Sequence, residues 1–543
     1  MGSISLPNGL SSGYQTDGFM ETSGEKWLVQ KFGGTSIGKF PLNVVDNVVR
    51  RVFSLICAIP NFPADLFQTE SITWQSCNCL LGKKQQLQSG GHDKQVRINC
   101  LPRPLPGLMC LFTRLLRAAR DAQNSKSHQY RVLIENVRSD HVESAQQHIQ
   151  SPEVFKRLEI EIGEECAQII RVLEAAQTLG EISPRSVDKV MSVGEKLSCR
   201  FIAALLQDHG VDSEYVDVSE VIDFPVQGCL DQAFYDGVAT RLGGKVRACQ
   251  AQVPVTTGFF GMVPGGLLDK IGRGYTDLCA ALVAVGLQAH ELQVWKEVDG
   301  IFTADPRKVP TAQLLPQISP AEASELTFYG SEVIHPFTME QVIRARIPIR
   351  IKNVMNPRGE GTIIFPDSVS ELETTSPGHD PKLFRTRSAS VLKDRRKPKR
   401  PTAVTLKHKI LVMNVHSNRR SLSHGFFAHI FSILDKWRLS IDLISTSEVH
   451  VSMALHSEAP LYNGGGDDDY QIINQDLRGA IEELRVYGTV DIIPEMAILS
   501  LVGKQMKNMM GIAGKMFSTL GENNVNIEMI SQGQYYHRAI AFS

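Results

Sequence analysis

The sequence lacks the features that mark secreted, membrane-spanning or nucleic-acid-binding proteins. Its 543 residues include ten cysteines without a C-x-x-C pair, so neither a disulfide framework nor a zinc site is expected. No apolar run reaches the length of a membrane span. The formal net charge is −1, so no overall field attracts nucleic acid or an acidic membrane. These absences predict a globular protein of the cytoplasm with reduced thiols.

A Walker P-loop is also absent, although the sequence has a glycine-rich loop of another kind. In "LVQKFGGTSIGKF", residues 28–40, the lysine precedes the glycines, whereas the P-loop pattern places it after them. The apolar "WLVQ" predicts a strand and "VVDNVVRRV" predicts a helix. Backbone amides converge at such a turn and the helix N-terminus favours anions, which is typical of a phosphate site. A tight turn with a surface lysine is the alternative.

Composition divides the chain into five parts. Residues 1–26 are polar and rich in glycine and serine, which predicts a disordered leader. Alternating strand and helix patterns over residues 27–367 predict an α/β domain. Residues 368–405 form a polar linker, whose basic run favours a solvated tether over nucleic-acid binding. The remaining parts, 406–490 and 491–543, are two copies of an internal repeat.

The repeat is visible as a constant shift along the chain. Phe431 falls on Phe517 and Ile444 on Ile530, a shift of 86 residues in both cases. Each copy predicts a strand, an amphipathic helix and a second strand. Two small units of this kind favour a paired regulatory or assembly module, and two packing repeats without a ligand are the alternative.

Two segments interrupt these patterns. Residues 51–112 show no sustained period, and their "LPRPLPG" fits neither a helix nor a central strand. The final "SQGQYYHRAIAFS" stands where the second repeat is expected to continue with another strand and a helix. Both segments resemble translated intron or a shifted reading frame. We therefore expect a missing strand in each domain, with an exposed sheet edge in the second repeat.

Several polar residues stand at predicted ends of strands and helices. "GRGYTD" places Arg273, Thr276 and Asp277 at a predicted helix N-terminus, where an arginine and free amides suit a carboxylate or a phosphate. Asp277 could instead be the N-cap of that helix. "MSVGEKLS" offers Glu195 at a predicted strand-to-helix junction. His335 in "VIHPF" is expected to be a packed loop histidine rather than a base.

Taken in order, these motifs resemble the aspartate kinase family. "LVQKFGGTSI", "SVGEKLS", "TTGFFG", "GRGYTD", "WKEVDGIFTADPR" and "YGSEVIHPFTME" follow the family's order, and the two repeats resemble its ACT domains. The sequence of these motifs is most similar to that of fungal monofunctional members, and the resemblance covers residues 27–50 and 113–533. The resemblance implies an α/β amino-acid kinase fold, a mostly parallel sheet between helices. Tandem ferredoxin-like ACT domains would follow, the second of them truncated.

The resemblance also implies roles for individual residues. Lys31 would neutralise charge on the transferring phosphoryl group, and Asp277 would orient Lys31 or its neighbours electrostatically. Arg273 would pair with a carboxylate of aspartate, and Glu195 would receive its ammonium. The implied ATP-binding residues are Lys31, Gly33, Gly34, Lys296, Phe302 and Arg307. The implied substrate-binding residues are Ser36, Glu195, Arg273 and Thr276. The implied effector-binding residues are Ser423, Gly425, Phe426, Asp442 and Glu448.

The implied reaction converts ATP and L-aspartate to ADP and 4-phospho-L-aspartate, the first step of threonine and methionine biosynthesis through homoserine. Mg²⁺ would be held by the nucleotide and water, without a protein cage. L-Threonine would inhibit through the ACT domains, whose pairing would form a homo-oligomer. No nucleic-acid or membrane partner is implied. The alternatives are a catalytically inactive amino-acid-binding paralogue, a defective gene model, or a kinase of this fold acting on glutamate or a nucleotide.

Overall fold

A computed structural model describes the protein in two units, a kinase-like unit and a C-terminal unit. The described residues are 27–33, 41–45, 72–73, 111–123, 128–226, 230–251, 253–271, 274–328, 334–365, 400–417, 425–447, 449–456, 462–463, 471–472, 474–504, 506–533 and 535–542. The predicted leader and most of the predicted linker lie outside these residues.

The first unit consists of eight described strands and nine described helices, besides a helical stretch over residues 41–45. The strands are β1 (Leu28–Phe32), β2 (Ile72–Thr73), β3 (Ser213–Val216), β4 (Val253–Thr256), β5 (Glu291–Lys296), β6 (Gln317–Ile318), β7 (Ile349–Asn353) and β8 (Thr362–Ile364). The helices are α1 (Leu111–Ala122), α2 (Gln129–His148), α3 (Pro152–Leu179), α4 (Pro184–Asp208), α5 (Gln232–Arg247), α6 (Leu267–Ile271), α7 (Tyr275–Leu287), α8 (Pro320–Phe328) and α9 (Pro336–Arg344).

Six of these strands form one sheet in the order β2-β1-β5-β7-β8-β6. Every neighbouring pair is parallel except β7 and β8. The parallel pair β3 and β4 lies next to β2. The predicted mostly parallel sheet is confirmed. Because β2 lies within residues 51–112, our expectation that this segment lacks the strand is wrong, and its β-branched residues Ile72 and Thr73 favour a strand locally.

Strand β1 lies between two layers of helices. Val29 packs in the core formed with α5, α7 and α9, whereas Phe32 packs in the core formed with α1 to α4. Phe32 stacks on Trp295 of β5, with ring centroids 5.9 Å apart. Because side chains alternate along a strand, Lys31 points to the same side as Val29, towards α7.

The long helix α4 begins earlier than the sequence suggests. Ser183 is its N-cap and accepts a hydrogen bond from the Ser186 backbone N–H at 3.2 Å, and Pro184 occupies the first helical position. "MSVGEKLS" therefore lies inside a helix, and the predicted strand-to-helix junction at Glu195 is wrong. A short apolar run such as "MSV" does not distinguish a buried helix from a strand.

The C-terminal unit consists of an antiparallel sheet with helices. Its strands are β9 (Ala403–Ser417), β10 (Ile441–Thr446), β11 (His450–His456), β12 (Tyr462–Asn463), β13 (Gln471–Ile472), β14 (Gly488–Val502), β15 (Ile527–Gln532) and β16 (Tyr536–Phe542). Its described helices are α10 (Phe426–Lys436), α11 (Gln475–Leu484) and α12 (Ile512–Glu522). Six strands form one sheet in the order β10-β11-β9-β14-β16-β15.

The internal repeat appears as two similar modules in this sheet. The first contains β9, α10 and β10, and the second contains β14, α12 and β15, as predicted. Gly425 and Gly511 occupy equivalent positions before the helices, with φ of 85° and 82°, a conformation that favours glycine. Strands β9 and β14 pair along both modules, so the predicted boundary between residues 490 and 491 falls inside β14.

The final described segment forms the strand that we expected to be missing. Strand β16 lies between β14 and β15 and is antiparallel to both, so the predicted exposed edge at this place is wrong. His537, Arg538 and the alanines that follow are buried, so the segment has no alternation of polar and apolar residues. A strand buried on both faces gives no such alternation, which is why the sequence pattern missed it.

Candidate active site

The centre of the candidate site is an ion pair between two elements that are far apart in the sequence. Lys31 stands at the end of β1 and is only 8% exposed. Its Nζ forms an ion pair with Oδ1 of Asp277 in the first turn of α7. Gly33 directly follows β1, and a Cβ at that position would meet no atom of the described residues within 4 Å. A buried, fixed ammonium beside such a turn can neutralise phosphate charge.

Asp277 is not the N-cap of its helix, which was the alternative from the sequence. The N-cap is Gly274, and it makes no side-chain capping hydrogen bond. Burial raises the pKa of Asp277, but the cations of Lys31 and Lys296 outweigh burial, and the pKa lies below its usual value. Asp277 is therefore ionised at neutral pH and holds the Lys31 ammonium in place.

Glu195 lies beneath the site and is 0% exposed. Its Oε2 accepts hydrogen bonds from the backbone N–H groups of Gly258 and Phe259, both at 2.9 Å. Its Oε1 accepts a hydrogen bond from the hydroxyl of Tyr275, the residue that precedes Thr276 on α7. Glu195 thus joins α4, the turn after β4 and the start of α7. Tyr275 was missed by the sequence reasoning, although it stands inside the "GRGYTD" motif.

The turn after β4 packs closely against α7. A Cβ on Gly258 would lie 2.6 Å from Cγ2 of Thr276, so only glycine fits there. Thr276 is buried, and its methyl group faces this turn. The glycine in "TTGFFG" is therefore required by close backbone approach, a reason that the motif alone did not give.

The predicted nucleotide residues after β5 fall into two groups. Lys296 ends β5 and acts electrostatically on Asp277, so it belongs to the same site. Phe302 and Arg307 lie in the loop that follows. Phe302 forms an isolated bridge with Leu314, and the exposed Arg307 forms an ion pair with Asp305 at 3.1 Å.

His335 is not the packed loop histidine that we expected. It is exposed, precedes α9 as its N-cap, and lies beside Gly274 at the start of α7. Together with Tyr235, Lys270 and Phe337 it lines a cavity of about 250 Å³. The proline that follows it starts α9, which leaves the imidazole at the helix end rather than in the core.

Part of the predicted site lies outside the described residues. These positions are Gly34, Ser36, Arg273, Ser423 and Glu448. Of the predicted effector residues, Gly425 and Phe426 begin α10, and Asp442 lies on β10 in the first module. Asp442 forms an ion pair with Lys407 of β9, with 2.6 Å between Oδ2 and Nζ.

Two further properties concern the described part of the chain only. None of its helices is long and apolar enough to cross a membrane. Within the same residues, no group of three or more histidine, cysteine, aspartate or glutamate side chains is arranged to hold a metal ion.

Comparison with known proteins identifies the family. The model of the Amino acid kinase family matches residues 112–353, and an ACT domain model matches residues 499–540. The chain is 48% identical over 516 residues to the aspartokinase of Candida albicans, covering 93% of this chain and 85% of that protein. It is 47% identical over 519 residues to the aspartokinase of Saccharomyces cerevisiae, covering 94% and 88%.

A solved structure supports the same architecture. E. coli aspartokinase III in complex with aspartate and ADP, in its R-state, superposes with a TM-score of 0.62 at 23% identity, covering 95% of this chain and 96% of that one. This likeness confirms the predicted order of an amino-acid kinase unit and a C-terminal ACT unit. Given the identity and coverage of its fungal relatives, the chain belongs to the aspartokinase family and is an aspartate kinase of the fungal type.

Proposed function

We propose that Lys31 and Asp277 form the catalytic pair of this aspartate kinase. An oxygen of the aspartate β-carboxylate attacks the γ-phosphorus of ATP, and the bond to the β–γ bridging oxygen breaks. ADP leaves, and 4-phospho-L-aspartate forms. The nucleophile is already ionised, so the site needs positioning and charge stabilisation rather than a strong base.

The observation that carries this proposal is the buried Lys31 ammonium fixed by Asp277. Lys31 stabilises the charge of the transferring phosphoryl group, while the amides of Gly33 and Gly34 bind neighbouring phosphate oxygens. Asp277 keeps Lys31 protonated and oriented. Lys296 adds a second cation at the same place, and we assign it with Phe302 and Arg307 to the nucleotide.

We assign the aspartate end of the site to Arg273, Glu195, Thr276 and Ser36. Arg273 binds a substrate carboxylate in bidentate fashion, and Glu195 attracts the α-ammonium. Because Glu195 is fully buried and holds the Gly258 turn, its effect on the ammonium is partly that of a positioned charge below the pocket. Tyr275 is a positioning residue, because it acts through Glu195.

Magnesium fits this site as a partner of the nucleotide. The described residues offer no acidic cluster, and the Asp277 carboxylate is engaged with Lys31. Mg²⁺ carried by phosphate oxygens and water needs no dedicated protein cage. When bound, it neutralises phosphate charge alongside Lys31.

The same proposal includes regulation by L-threonine at the first ACT module, through Ser423, Gly425, Phe426, Asp442 and Glu448. Threonine would bind one conformation of the enzyme more tightly and so suppress turnover. This role fits a first step of threonine and methionine biosynthesis in the cytoplasm. The described cysteines are all free, which supports a reducing compartment. We propose a homo-oligomer formed by ACT pairing.

The test is formation of the acyl phosphate, trapped as the hydroxamate by hydroxylamine. We expect turnover that requires ATP, Mg²⁺ and L-aspartate, is suppressed by L-threonine, and falls by at least about a hundredfold in Lys31→Met. Lys156→Met is the control, because Lys156 is an exposed lysine on α3. Equal loss in both variants, or full activity in Lys31→Met, would contradict the assignment.

A substrate panel completes this test. Glutamate and simple nucleotides should not replace aspartate as phosphoryl acceptor. Turnover without any response to threonine would leave the catalytic assignment intact and remove the regulatory one. Threonine binding by a folded chain that does not turn over aspartate would contradict the catalytic assignment.

A further inference from the structure

The effector site contains a cation of its own. The Lys407 Nζ lies 2.6 Å from Asp442 Oδ2, and the two side chains are only 16% and 20% exposed. An amino acid brings an α-ammonium, which is the same chemical group as that of Lys407. Two ammonium groups on one mostly buried carboxylate would repel each other. The effector and Lys407 are therefore alternative partners of Asp442.

The second module shows that this counter-ion is not a general consequence of the fold. The repeat shift of 86 residues carries Asp442 onto Glu528, which also lies on the outer strand of its module. Glu528 contacts Asn414 of β9, with 3.5 Å between Oε1 and Nδ2. Asn414 is an uncharged amide, so β9 presents a cation to the acid of the first module and a neutral group to that of the second.

We infer that Lys407 is a resident counter-ion that the effector must displace from Asp442, so that Lys407 sets the concentration at which the effector acts. This inference rests on the proposed effector role of Asp442. Only the fraction of molecules in which Lys407 has left Asp442 can bind the effector. The apparent affinity for the effector is therefore the intrinsic affinity multiplied by that fraction.

The position of Lys407 also connects this exchange with the kinase unit. On the same strand, the Val404 backbone N–H donates to the Thr303 carbonyl at 2.8 Å. Next to Lys407, the His408 Nε2 lies 2.5 Å from Lys308 Nζ. Thr303 and Lys308 belong to the loop that we assign to the nucleotide. Release of Lys407 from Asp442 thus changes a contact of β9, the strand that is hydrogen-bonded to the nucleotide loop.

The decisive variant is Lys407→Met, which removes the cation and keeps most of the aliphatic stem. We expect its half-inhibitory threonine concentration to fall by about tenfold, with inhibition measured against the variant's own uninhibited rate. This magnitude assumes that Lys407 has left Asp442 in roughly a tenth of wild-type molecules. Lys407→Gln also removes the positive charge and replaces Lys407→Met in this test if the methionine variant does not fold.

Salt dependence gives a second reading that a merely structural lysine would not produce. In the wild type, one ammonium replaces another on Asp442, so added NaCl should barely change the half-inhibitory concentration. In Lys407→Met, threonine forms a new ion pair, and the half-inhibitory concentration should rise with NaCl. Lys407→Arg retains a cation and should respond like the wild type.

Two substitutions serve as matched controls. Lys409→Met removes an exposed lysine two positions along the same strand, and Glu528→Gln changes the repeat-equivalent acid. Both should retain the wild-type threonine response. An unchanged or raised half-inhibitory concentration in Lys407→Met, with the wild type inhibited and Asp442→Asn insensitive, overturns the inference alone. A wild type that threonine neither inhibits nor binds, measured by calorimetry, overturns the effector proposal and this inference together.

Discussion

Replacing Tyr275 by phenylalanine would test whether the buried Glu195 network positions the substrate. The change removes only the hydroxyl that donates to Glu195 Oε1 and leaves the ring in the core. A hydrogen bond to a charged group contributes about 1.5–3 kcal/mol. The two backbone donors at 2.9 Å still hold the carboxylate, so we expect the lower half of that range. That corresponds to a loss of roughly 10- to 45-fold.

The assay separates aspartate from ATP. We expect kcat/KM for aspartate to fall by that factor in Tyr275→Phe, whereas KM for ATP changes by less than about twofold. Tyr130→Phe is the matched control, because Tyr130 is also buried and its hydroxyl lies 3.0 Å from Gln177, in the helical layer on the other side of the sheet. Equal effects on ATP and aspartate, or an unchanged aspartate response from a folded Tyr275→Phe variant, would refute the reasoning.

Three further perturbations follow from contacts elsewhere in the chain. Gly258→Ala places a Cβ 2.6 Å from Thr276, so we expect at least about a tenfold loss of kcat/KM for aspartate in steady-state assays. Arg538→Met removes the charged hydrogen bond to Glu325, which is partly exposed at the boundary between the units, so denaturant unfolding should show a loss of about 2 kcal/mol. Burial lowers the pKa of His141, so the stability present above pH 6.5 should decline as pH falls below that value, and urea midpoints should depend less on pH in His141→Gln.

Those three tests also have clear contrary outcomes. Wild-type kinetics in Gly258→Ala would mean that the turn does not position Glu195. An unfolding curve of Arg538→Met identical to that of the wild type would remove the ion pair from the contacts that join the units. An equal acid response with and without His141 would assign the loss of stability to other groups.

The fold was largely predictable because its signals are local. The apolar "WLVQ" before the glycine-rich loop predicted β1, and the repeat predicted the strand–helix–strand pattern of the C-terminal unit. Boundaries were less predictable, since apolar segments buried on both sides have no period. The "MSVGE" stretch inside α4 and most of β16 are buried in this way, and both were misjudged from the sequence.

The candidate site was predictable as a set of residues but not as an arrangement. The sequence singled out Lys31, Glu195 and Asp277, each at its own motif. The residue patterns did not show that Lys31 and Asp277 pair, although the family resemblance implied that Asp277 orients Lys31 or its neighbours. Nor did they show that Tyr275 donates to Glu195, because such contacts depend on how β1, α4 and α7 pack. His335 was misplaced for the same reason, since a proline-started helix leaves its N-cap at the surface.

Two ion pairs of the C-terminal unit were the least predictable contacts, one inside that unit and one to the kinase unit. Charged residues on a strand are ordinarily predicted to face water, and Lys407 and Arg538 give no sequence signal of a partner. The packed structure buries Arg538 against Glu325 of α8 and sets Lys407 on Asp442. Since a mostly buried charge is costly without its partner, each pair fixes one relative position of the elements it joins. Under our inference, an effector that exchanges with Lys407 would act on β9, and β9 is hydrogen-bonded to the kinase unit through Val404 and Thr303.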